Sequence, residues 1–539
     1  MKAKIIAIFI IMLFIATTVP IFVNANEINT SKKKILDDKT INEGNLICNK
    51  SFIHNPIEEE WNKTYGESES NEYGTSVCQS TNGGFFITGY KFNSTSSADL
   101  ICIKTDNEGI EIWNKTFGDN STERGYSILS TNDNGCIITG VNKSKVWLLK
   151  IDDQGNLVWE KNWNSLGMGW DCGHSIKKTH DNGYIITGMY GGNDLWLIKT
   201  DDNGNEEWNM TFGNENYFEI GHTAIQTLEG GYIIIGESYF FDRSDRNLLV
   251  IKVDSNGNEE WNKIYGGENY ENSNLYPSDI KQTSDGGYII VGSTKSFGSG
   301  GSDGWLIKID SNGNEHWNKT YGGVYDEFLT SVSIIENKGF VLAGTTFGSG
   351  EGDAWIIQTD FNGDVLGYTT FGGYDFDKSY ELLQINKETY IFTGLTKTYG
   401  NGIADVWLLK FLIINQQPNA PIISGPTNGK VGEEYCWNIS SVDPEGDDLM
   451  YIVDWGDGDT TETECYPSGM EVEVCHTYTV QGTFIIKVKA KDCPYGSESD
   501  WSEFTVTMPR DKAVSSSLLL KLLERFPLLE VILSKIINL

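Results

Sequence analysis

Histidines are the first residues to examine for chemistry, and this sequence has only six of them. His174 and His222 follow Gly173 and Gly221 at the same place in two consecutive repeats. Such a position on the innermost strand of each repeat would face a central funnel, where the pair could bind a metal ion or a substrate. The alternative is that both rings pack or hydrogen-bond near the axis. No HExxH, GxSxG, P-loop or CxxC motif accompanies them.

An acidic loop offers a second kind of chemistry. Asp443, Glu445 and Asp447 alternate along a short segment. Calcium is bound by several carboxylate and carbonyl oxygens that converge on one ion. The three carboxylates are therefore candidate calcium ligands, and calcium is the one cofactor that the sequence suggests. The Asp/Asn-rich segment 254–259 has a similar composition, but a tight hairpin turn explains it equally well.

Aromatic residues beside carboxylates form a third group, on segments that read as long loops. Rigid aromatic rings with hydrogen-bonding neighbours suit protein surfaces and glycans alike. The alternative is that these rings merely plug the junctions between repeats. The candidate ligand-binding residues are Tyr270, Tyr276, Tyr325, Asp326, Tyr374, Asp375 and Phe376.

The elements that would position these residues form a repeat, which is clearest from Asp303 to Gly323 (DGWLIKIDSNGNEHWNKTYGG). An apolar run, an Asn-Gly turn and a second run centred on Trp317 predict a β-hairpin, because both turn residues must adopt positive φ. Similar stretches begin at Asp194 and Asn247, and each follows another hairpin. One repeat is therefore four strands, which we call A to D.

The repeat occurs seven times, and its B and C runs are apolar on both faces. Burial on both sides is what blades packed around an axis provide. We therefore predict an all-β fold with a seven-bladed β-propeller over residues 57–411. The array begins with a strand D at Trp61 and ends after a strand C at Trp407, so these strands should pair and close the ring. Gly367 replaces the strand D tryptophan once, which predicts a looser junction there.

The two faces of such a propeller would differ. The A–B and C–D connections are tight DGG and NGN turns, whereas the B–C and D–A loops are long and vary between repeats, as in 266–278 and 294–304. Long, varied loops on a rigid scaffold carry recognition more often than tight turns do. We therefore expect ligands to bind on the B–C/D–A face.

The order GYIITG, DxWLIKTD and NGNEEWNKTYGG resembles the propeller repeats of archaeal and bacterial surface proteins, and it is similar in outline to quinoprotein-type repeats. The resemblance implies a propeller but leaves its function open, because propellers host many activities.

A second module spans residues 422–508, after a turn-rich linker at 412–421. Short alternating runs predict a β-sandwich. Its motifs DPEGDDLMYIVDWGDGD and HTYTVQGTFIIKVKAKD resemble the PKD (polycystic kidney disease) domain, which implies an immunoglobulin-like spacer or adhesion module and a structural role for His476.

Four of the nine cysteines lie in this module, which favours disulfides in an exported chain. Three pairings are open. Cys465 and Cys475 flank a hairpin-like insert, so we expect them to pair, with Cys436 bonded to Cys493. The five other cysteines should be small buried hydrophobes in strands.

The two ends of the chain read as accessory segments. Residues 1–25 predict a secretory signal, with cleavage after Ala25 or retention as an anchor, and 26–56 predict a flexible tether. The tail 509–539 predicts an amphipathic helix, which would attach the protein to a membrane or envelope or pack against the second module. Ten glycosylation sequons fit an exported glycoprotein, although several are by-products of the repeat.

The net charge of −34 argues against binding of nucleic acid or anionic lipid through a basic surface. Together the patterns predict an extracellular or cell-surface, non-enzymatic binding or adhesion protein with a protein or glycan ligand. The alternative is a propeller enzyme, such as a quinone-dependent dehydrogenase or a polysaccharide-active enzyme.

Overall fold

The computed structural model describes most of the chain beyond residue 56. The described residues are 57–92, 97–119, 121–165, 169–240, 246–267, 279–336, 338–348, 351–493, 496–509, 521 and 524–526. The predicted signal, the tether, Tyr270, Tyr276 and nearly all of the C-terminal tail lie outside them. Within the described residues, no helix is long and apolar enough to cross a membrane.

Residues 57–413 form seven four-stranded antiparallel sheets within the described part of the chain, and in each sheet the strands follow the order A to D. Sheets 1 and 2 contain, in order, β2 (Glu72–Gln79), β3 (Phe85–Phe92), β4 (Ala98–Thr105) and β5 (Glu111–Phe117), then β6 (Glu123–Ser130), β7 (Cys136–Asn142), β8 (Lys145–Ile151) and β9 (Leu157–Trp163). Sheets 3 and 4 contain, in order, β10 (Cys172–Lys178), β11 (Tyr184–Tyr190), β12 (Asp194–Thr200) and β13 (Glu206–Phe212), then β14 (Tyr217–Gln226), β15 (Tyr232–Phe240), β16 (Asn247–Val253) and β17 (Glu259–Tyr265).

The last three sheets follow the same plan. Their strands are, for sheet 5, β18 (Asp279–Gln282), β19 (Tyr288–Thr294), β20 (Asp303–Ile309) and β21 (Glu315–Tyr321); for sheet 6, β22 (Glu327–Ile335), β23 (Gly339–Thr346), β24 (Asp353–Asp360) and β25 (Val365–Phe371); and for sheet 7, β26 (Asp377–Gln384), β27 (Thr389–Thr396), β28 (Asp405–Ile413) and β1 (Ile57–Tyr65).

The sheets close into a ring. The A strands of consecutive sheets contact one another all the way round, and β26 of sheet 7 contacts β2 of sheet 1. The predicted closure is confirmed, because β1 pairs antiparallel with β28, with Thr64 opposite Trp407. This arrangement fits a β-propeller, in which the A strands surround the axis.

One contact explains why tryptophan and the Asn-Gly turn recur together. A Cβ atom at Gly313 (φ +74°) would lie 2.8 Å from the ring of Trp261, which belongs to strand D of the preceding sheet. The same approach joins Gly257 to Trp208, where the distance is 2.9 Å. The turn glycine therefore gives the backbone both the positive φ and the close contact with the ring that it needs.

The same contact explains the missing tryptophan at Gly367. Sheet 7 takes its fourth strand from the chain N-terminus, so it has no C–D turn for a tryptophan of sheet 6 to cover. The expected looser junction is wrong. A buried apolar cluster spans sheets 6 and 7, and Phe371 of sheet 6 lies 5.8 Å from Phe411 of sheet 7 between ring centroids.

Residues 422–508 form two sheets that enclose a separate core. One sheet has the order β29-β30-β33 and the other β32-β31-β34-β35. The largest buried side chains between them are Trp437, Trp455 and Tyr478. The strands are β29 (Ile422–Ser424), β30 (Glu434–Ser440), β31 (Leu449–Asp454), β32 (Thr460–Glu462), β33 (Val472–Thr477), β34 (Gly482–Asp492) and β35 (Ser502–Met508).

The second module contains two disulfides, as expected, but the predicted pairing is wrong. Cys436 is bonded to Cys475 and Cys465 to Cys493. Cys436 and Cys475 lie directly opposite each other on β30 and β33, with Cα atoms 4.0 Å apart. The segment between β32 and β33 crosses from one sheet to the other instead of forming a hairpin, so Cys465 and Cys475 do not meet.

Four further cysteines are described, and all are buried free thiols, as predicted: Cys78, Cys102, Cys136 and Cys172.

Candidate functional site at the axis of the sheets

A β-bulge recurs at the same place in the A strands and aims one side chain out of the regular alternation. In sheet 1 the pairing register shifts between Gly74 and Ser76, and a Cβ atom at Gly89 opposite would lie 1.7 Å from the carbonyl oxygen of Tyr73. The glycine within strand B that lies opposite the bulge is therefore required by it. The described bulge residues are Thr75, Tyr126, His174, His222, Thr330 and Tyr380.

These bulge residues touch across the sheets. The ring of Tyr126 meets that of His174 edge-on at 5.7 Å, and His174 stacks on His222 at 6.0 Å between centroids. The hydroxyl of Thr75 donates to the carbonyl of Gly125 in the next sheet at 2.8 Å. The bulges therefore line the axis as one ring of side chains.

Both axial histidines are held in a packed environment, which matches the structural alternative. His174 Nδ1 lies 2.8 Å from the carbonyl oxygen of Gly221, and its Nε2 lies 2.9 Å from the sulfur of Cys172. Burial lowers the pKa of His174 to about 4. Burial, together with His174 and Arg246, lowers the pKa of His222 to about 3. Both imidazoles are therefore neutral at pH 7.

Beside the histidines lies a group that we call the axial mouth, defined as Tyr73, Tyr90, Arg124, Tyr126, Lys378 and Tyr380. It is built from the start of strand A in sheets 7, 1 and 2 and from strand B of sheet 1. This end of strand A adjoins the D–A loops, so the axial mouth lies on the side of the ring predicted to bind ligands.

Aromatic rings and cations alternate in the axial mouth. Tyr73 stacks on Tyr90 at 5.1 Å, and the guanidinium of Arg124 lies 4.8 Å from the centroid of the Tyr90 ring. The ammonium of Lys378 lies 4.3 Å from the centroid of Tyr380. Burial raises the pKa of Tyr380 well above its ordinary value, and the neighbouring Tyr90 and Tyr73 add to this effect. The four phenols are therefore neutral hydrogen-bonding groups at pH 7.

Lys378 is the most unusual group in the axial mouth. Its side chain is 3% exposed, and burial lowers its pKa to about 7. An amine that titrates near neutrality can donate or accept a proton at physiological pH. Such shifted pKa values are concentrated at functional sites.

Further along the axis, charged residues from three sheets converge and neutralise one another. Lys177 Nζ lies 3.6 Å from Glu381 Oε1, and Glu381 also accepts hydrogen bonds from the Ser76 hydroxyl and the Val77 amide. Burial opposes the charge on Lys177, but Glu381 and Asp279 outweigh it and raise the pKa of the lysine. This cluster is internally satisfied, and it ties sheets 3, 5 and 7 together.

The residues predicted to bind ligands have mixed positions. Tyr374 is 92% exposed and Tyr325 is 45% exposed. The Asp326 carboxylate accepts the Ser302 amide at 2.7 Å, and Asp375 accepts the Phe376 amide at 2.9 Å, so both acids shape their loops.

The last described member of that group, Phe376, packs against Phe347 at 5.7 Å between centroids. Within the described ranges no contact joins Tyr325 to Tyr374, so the structure does not bring these two residues into one site. Tyr270 and Tyr276 lie outside the described residues.

The acidic loop of the second module is a separate candidate, for a metal ion. Ligand oxygens of Asp443, Asp447 and Asp492 lie within 4.8 Å of one another, and all three residues are buried. Of the predicted trio, Glu445 is half-buried and Asp492 takes its place in this cluster. Asp443 Oδ2 and Glu445 Oε1 are buried without a hydrogen-bond partner in the described structure. Burial raises the pKa of both carboxyls.

These oxygens fit a hard cation such as calcium, because the donor set is all oxygen, Asp443 Oδ2 within it lacks a partner, and the unpartnered Glu445 Oε1 belongs to the same loop. A lysine already balances part of the charge. Lys338 of sheet 6 donates to Asp447 Oδ2 at 2.8 Å.

No family model and no curated protein matches the sequence. Among solved structures, the chain is similar to a PKD domain of an M14-like peptidase from Thermoplasmatales archaeon SCGC AB-540-F20, with 43% identity, a TM-score of 0.18, and coverage of 18% of this chain and 100% of that one.

Two larger solved structures are also similar in fold. One is a bifunctional GH43-CE protein of Bacteroides eggerthii, with 9% identity, a TM-score of 0.26 and coverage of 83% of this chain and 59% of that one. The other is a mutant of NanB sialidase from Streptococcus pneumoniae, with 11% identity and a TM-score of 0.22. The match covers 91% of this chain and 72% of that one.

These comparisons contradict the prediction of a non-enzymatic adhesion protein. Both of the larger neighbours carry the names of carbohydrate-active enzymes, and those names are said of those proteins alone. At this identity the likeness describes only the all-β architecture, so chemistry must be read from the residues at the axis.

Sequence reasoning singled out His174 and His222 but missed the axial mouth. The signal was present, because Tyr126 and Tyr380 occupy the same repeat position as the two histidines. Aligning the start of every strand A would have found Arg124 and Lys378, each two residues before a bulge tyrosine.

Proposed function

We propose that this chain is a polysaccharide-active enzyme built on a seven-bladed β-propeller, with the axial mouth as its active site. The observation that carries the proposal is the convergence there of four tyrosines with the buried amine of Lys378. Tyrosine rings offer flat faces on which sugar rings stack, and their hydroxyls hydrogen-bond to sugar hydroxyls.

The same groups suit acid–base chemistry on a glycan. Lys378 exchanges a proton near pH 7, the phenol of Tyr380 lies against it, and the phenols of Tyr126 and Tyr380 stay neutral and donate hydrogen bonds. A positioned acid or base near its own pKa is what proton transfer in a transition state requires. The paired carboxylates deeper on the axis are tied to Lys177, so their role is to hold the A strands in place.

The rest of the chain fits an exported enzyme of this kind. The second module serves as a PKD-type spacer that binds calcium through Asp443, Asp447 and Asp492, with Glu445 on the same loop. The exposed rings of Tyr325 and Tyr374 contact longer parts of the polysaccharide on the loop face. The N-terminal segment directs export, and the C-terminal tail attaches the protein to the cell envelope.

The test is release of reducing ends from a panel of neutral and acidic polysaccharides by the full-length chain. Tyr126→Phe and Tyr380→Phe should each lower kcat at least tenfold, because each removes one hydrogen-bond donor to the reacting sugar but keeps the ring. The matched control is Tyr466→Phe, on the second module, which should leave the rate unchanged.

A chain that cleaves no polysaccharide in the panel would refute the proposal. So would cleavage that survives both axial substitutions, because the active site would then lie elsewhere. Circular dichroism and melting curves of each variant verify that the fold is intact.

A further inference from the structure

Lys378 differs from the other buried lysines of the described residues because it has no carboxylate partner. In the described residues six lysines are buried, and five of them lie against a carboxylate. These pairs are Lys104 with Asp153, Lys199 with Asp181, Lys252 with Glu260, Lys308 with Asp285 and Lys338 with Asp447. Within the same part of the chain, the ammonium group of Lys378 makes no hydrogen bond and no ion pair.

An unpaired buried ammonium is costly, and this chain does not lack partners for one. It has 75 acidic residues against 41 lysines and arginines. Burying a charge without a partner costs several kcal/mol as an order of magnitude. Burial accordingly lowers the pKa of Lys378 to about 7. A cation left unpaired inside an acidic protein is suited to a negative charge that arrives with a ligand.

A second cation lies in the same group of side chains. Arg124 Nε is buried and has no hydrogen-bond partner within the described structure. Its guanidinium lies over Tyr90 and 5.4 Å from the centroid of Phe92. By contrast, Arg246 at sheet 4 is already neutralised by Glu237 at 2.7 Å. A planar guanidinium fork matches the two oxygens of a carboxylate.

The tyrosines connect these two cations. Lys378 lies against Tyr380, whose pKa is raised by Tyr90 and Tyr73, and Arg124 covers the face of Tyr90. Each cation therefore lies over a tyrosine ring, and neither is neutralised by a carboxylate, although the Arg124 guanidinium also hydrogen-bonds to Tyr126. A neutral sugar would use the rings and leave both cations without a counter-charge, whereas an acidic sugar uses all of these groups.

We infer that the axial mouth takes a saccharide bearing carboxylates, a uronic acid polymer, with one carboxylate held between Lys378 and Arg124. This inference rests on the proposed function and adds the class of substrate to it. The uronate ring lies against the tyrosines, and its charge replaces the carboxylate partner that the other buried lysines possess.

The test compares two oligosaccharides that differ only in charge. Calorimetric titration of the full-length chain uses an oligogalacturonide and the same oligomer with its carboxyl groups reduced to alcohols. A chelator is present throughout, because uronates and the acidic loop of the second module both bind calcium. Sulfated galactan oligomers form a third arm and distinguish a carboxylate from any anion.

We expect the oligogalacturonide to bind at least tenfold more tightly than its reduced form. Lys378→Met and Arg124→Gln should each weaken that binding at least tenfold and leave the weak binding of the reduced form unchanged. Lys319→Met, which removes a half-buried lysine paired with Asp364 on strand D of sheet 5, is the matched control and should have no effect.

The outcomes separate the two proposals. Equal binding of both oligomers, with cleavage still lost in Tyr380→Phe, overturns the acidic substrate and keeps the polysaccharide-active enzyme. Preference for the sulfated oligomer overturns the carboxylate assignment. Binding and cleavage of no saccharide in any arm overturns the proposed function itself.

Discussion

Lys338 and Lys378 lie in neighbouring sheets, are almost equally buried, and differ in what faces them. Lys338 is 7% exposed and donates to Asp447, which is itself 7% exposed. Lys378 is 3% exposed and has no partner among the described residues. Lys338 follows strand A of sheet 6 at its tight turn, whereas Lys378 begins strand A of sheet 7, so the two occupy opposite faces of the ring.

The difference separates architecture from function. Lys338 joins sheet 6 to the acidic loop of the second module, and its charge and that of Asp447 neutralise each other in that contact. Lys378 joins nothing, and its charge is a cost to folding that a ligand can offset. Opposite faces of one ring thus carry the module contact and the open site.

The largest effect should come from removing the paired lysine. Lys338→Met leaves Asp447 buried beside Asp443 and Asp492 with no cation. Breaking a buried ion pair on one side costs about 3–5 kcal/mol. We expect the free energy of unfolding in denaturant to fall by that amount. The control is Lys319→Met, which breaks a solvent-accessible ion pair with Asp364 and should change the free energy of unfolding by less than about 1 kcal/mol. A fall no larger than that of the control would contradict the structural role of Lys338.

Removing the unpaired Lys378 should increase the free energy of unfolding, whereas removing Lys338 should decrease it. The fall of the Lys378 pKa from 10.5 to about 7 means that the folded protein resists protonation of this amine. At ~1.36 kcal/mol for each unit of pKa, Lys378→Met should raise stability near neutral pH by roughly 2–4 kcal/mol.

The pH dependence follows from the same shift. The unfolded chain binds a proton at Lys378 that the folded chain lacks between pH 7 and 10.5, so wild-type stability rises with pH across that window. The groups around the amine, Tyr380, Tyr73 and Tyr90, remain neutral over most of the window. The advantage of Lys378→Met should therefore be constant below pH 7 and vanish near pH 10.5. An advantage that does not change with pH would show that the gain does not come from the charge of Lys378, and a loss of stability in Lys378→Met would show that the ammonium has a partner.

The fold could be predicted from the sequence because its signals are local. Asn-Gly turns, apolar runs and the recurring tryptophan fix the hairpins, and the strand count fixes the closure of β1 on β28. The pairing of Lys338 and the lack of a partner for Lys378 could not be predicted. Both depend on residues far away in the sequence, and Asp447 lies in another module.

The errors have the same physical origin. The disulfide pairing failed because Cys465 and Cys475 are close in sequence but separated by a crossing between sheets. The prediction of a loose junction at Gly367 was wrong because it considered only the absent tryptophan. Sheet 7 also lacks the C–D turn that this tryptophan would have covered. The axial mouth was missed because its residues belong to three sheets and only the ring brings them together.

A smaller effect on stability should come from calcium binding to the acidic loop of the second module, next to Lys338. If calcium binds the loop, its binding at about ten times its Kd should stabilise the folded chain by ~1.4 kcal/mol. We expect the melting temperature to rise with calcium, to rise more in Lys338→Met because the competing ammonium is gone, and not to rise in Asp443→Asn. A calcium response that survives Asp443→Asn would place the ion elsewhere.

The smallest effect on stability should come from the exposed aromatic residues on the face of Lys378. Tyr374 and Tyr325 bury little, so their replacement by alanine should change the free energy of unfolding by less than about 0.5 kcal/mol. If they contact longer parts of a bound polysaccharide, both variants should weaken binding of long chains several-fold and leave binding of short oligomers at the axial mouth unchanged. Phe361→Ala, an exposed ring on the opposite face, is the control. Loss of binding in Phe361→Ala, with Tyr325→Ala and Tyr374→Ala unaffected, would move the recognition surface to the tight turns and break the assignment of faces.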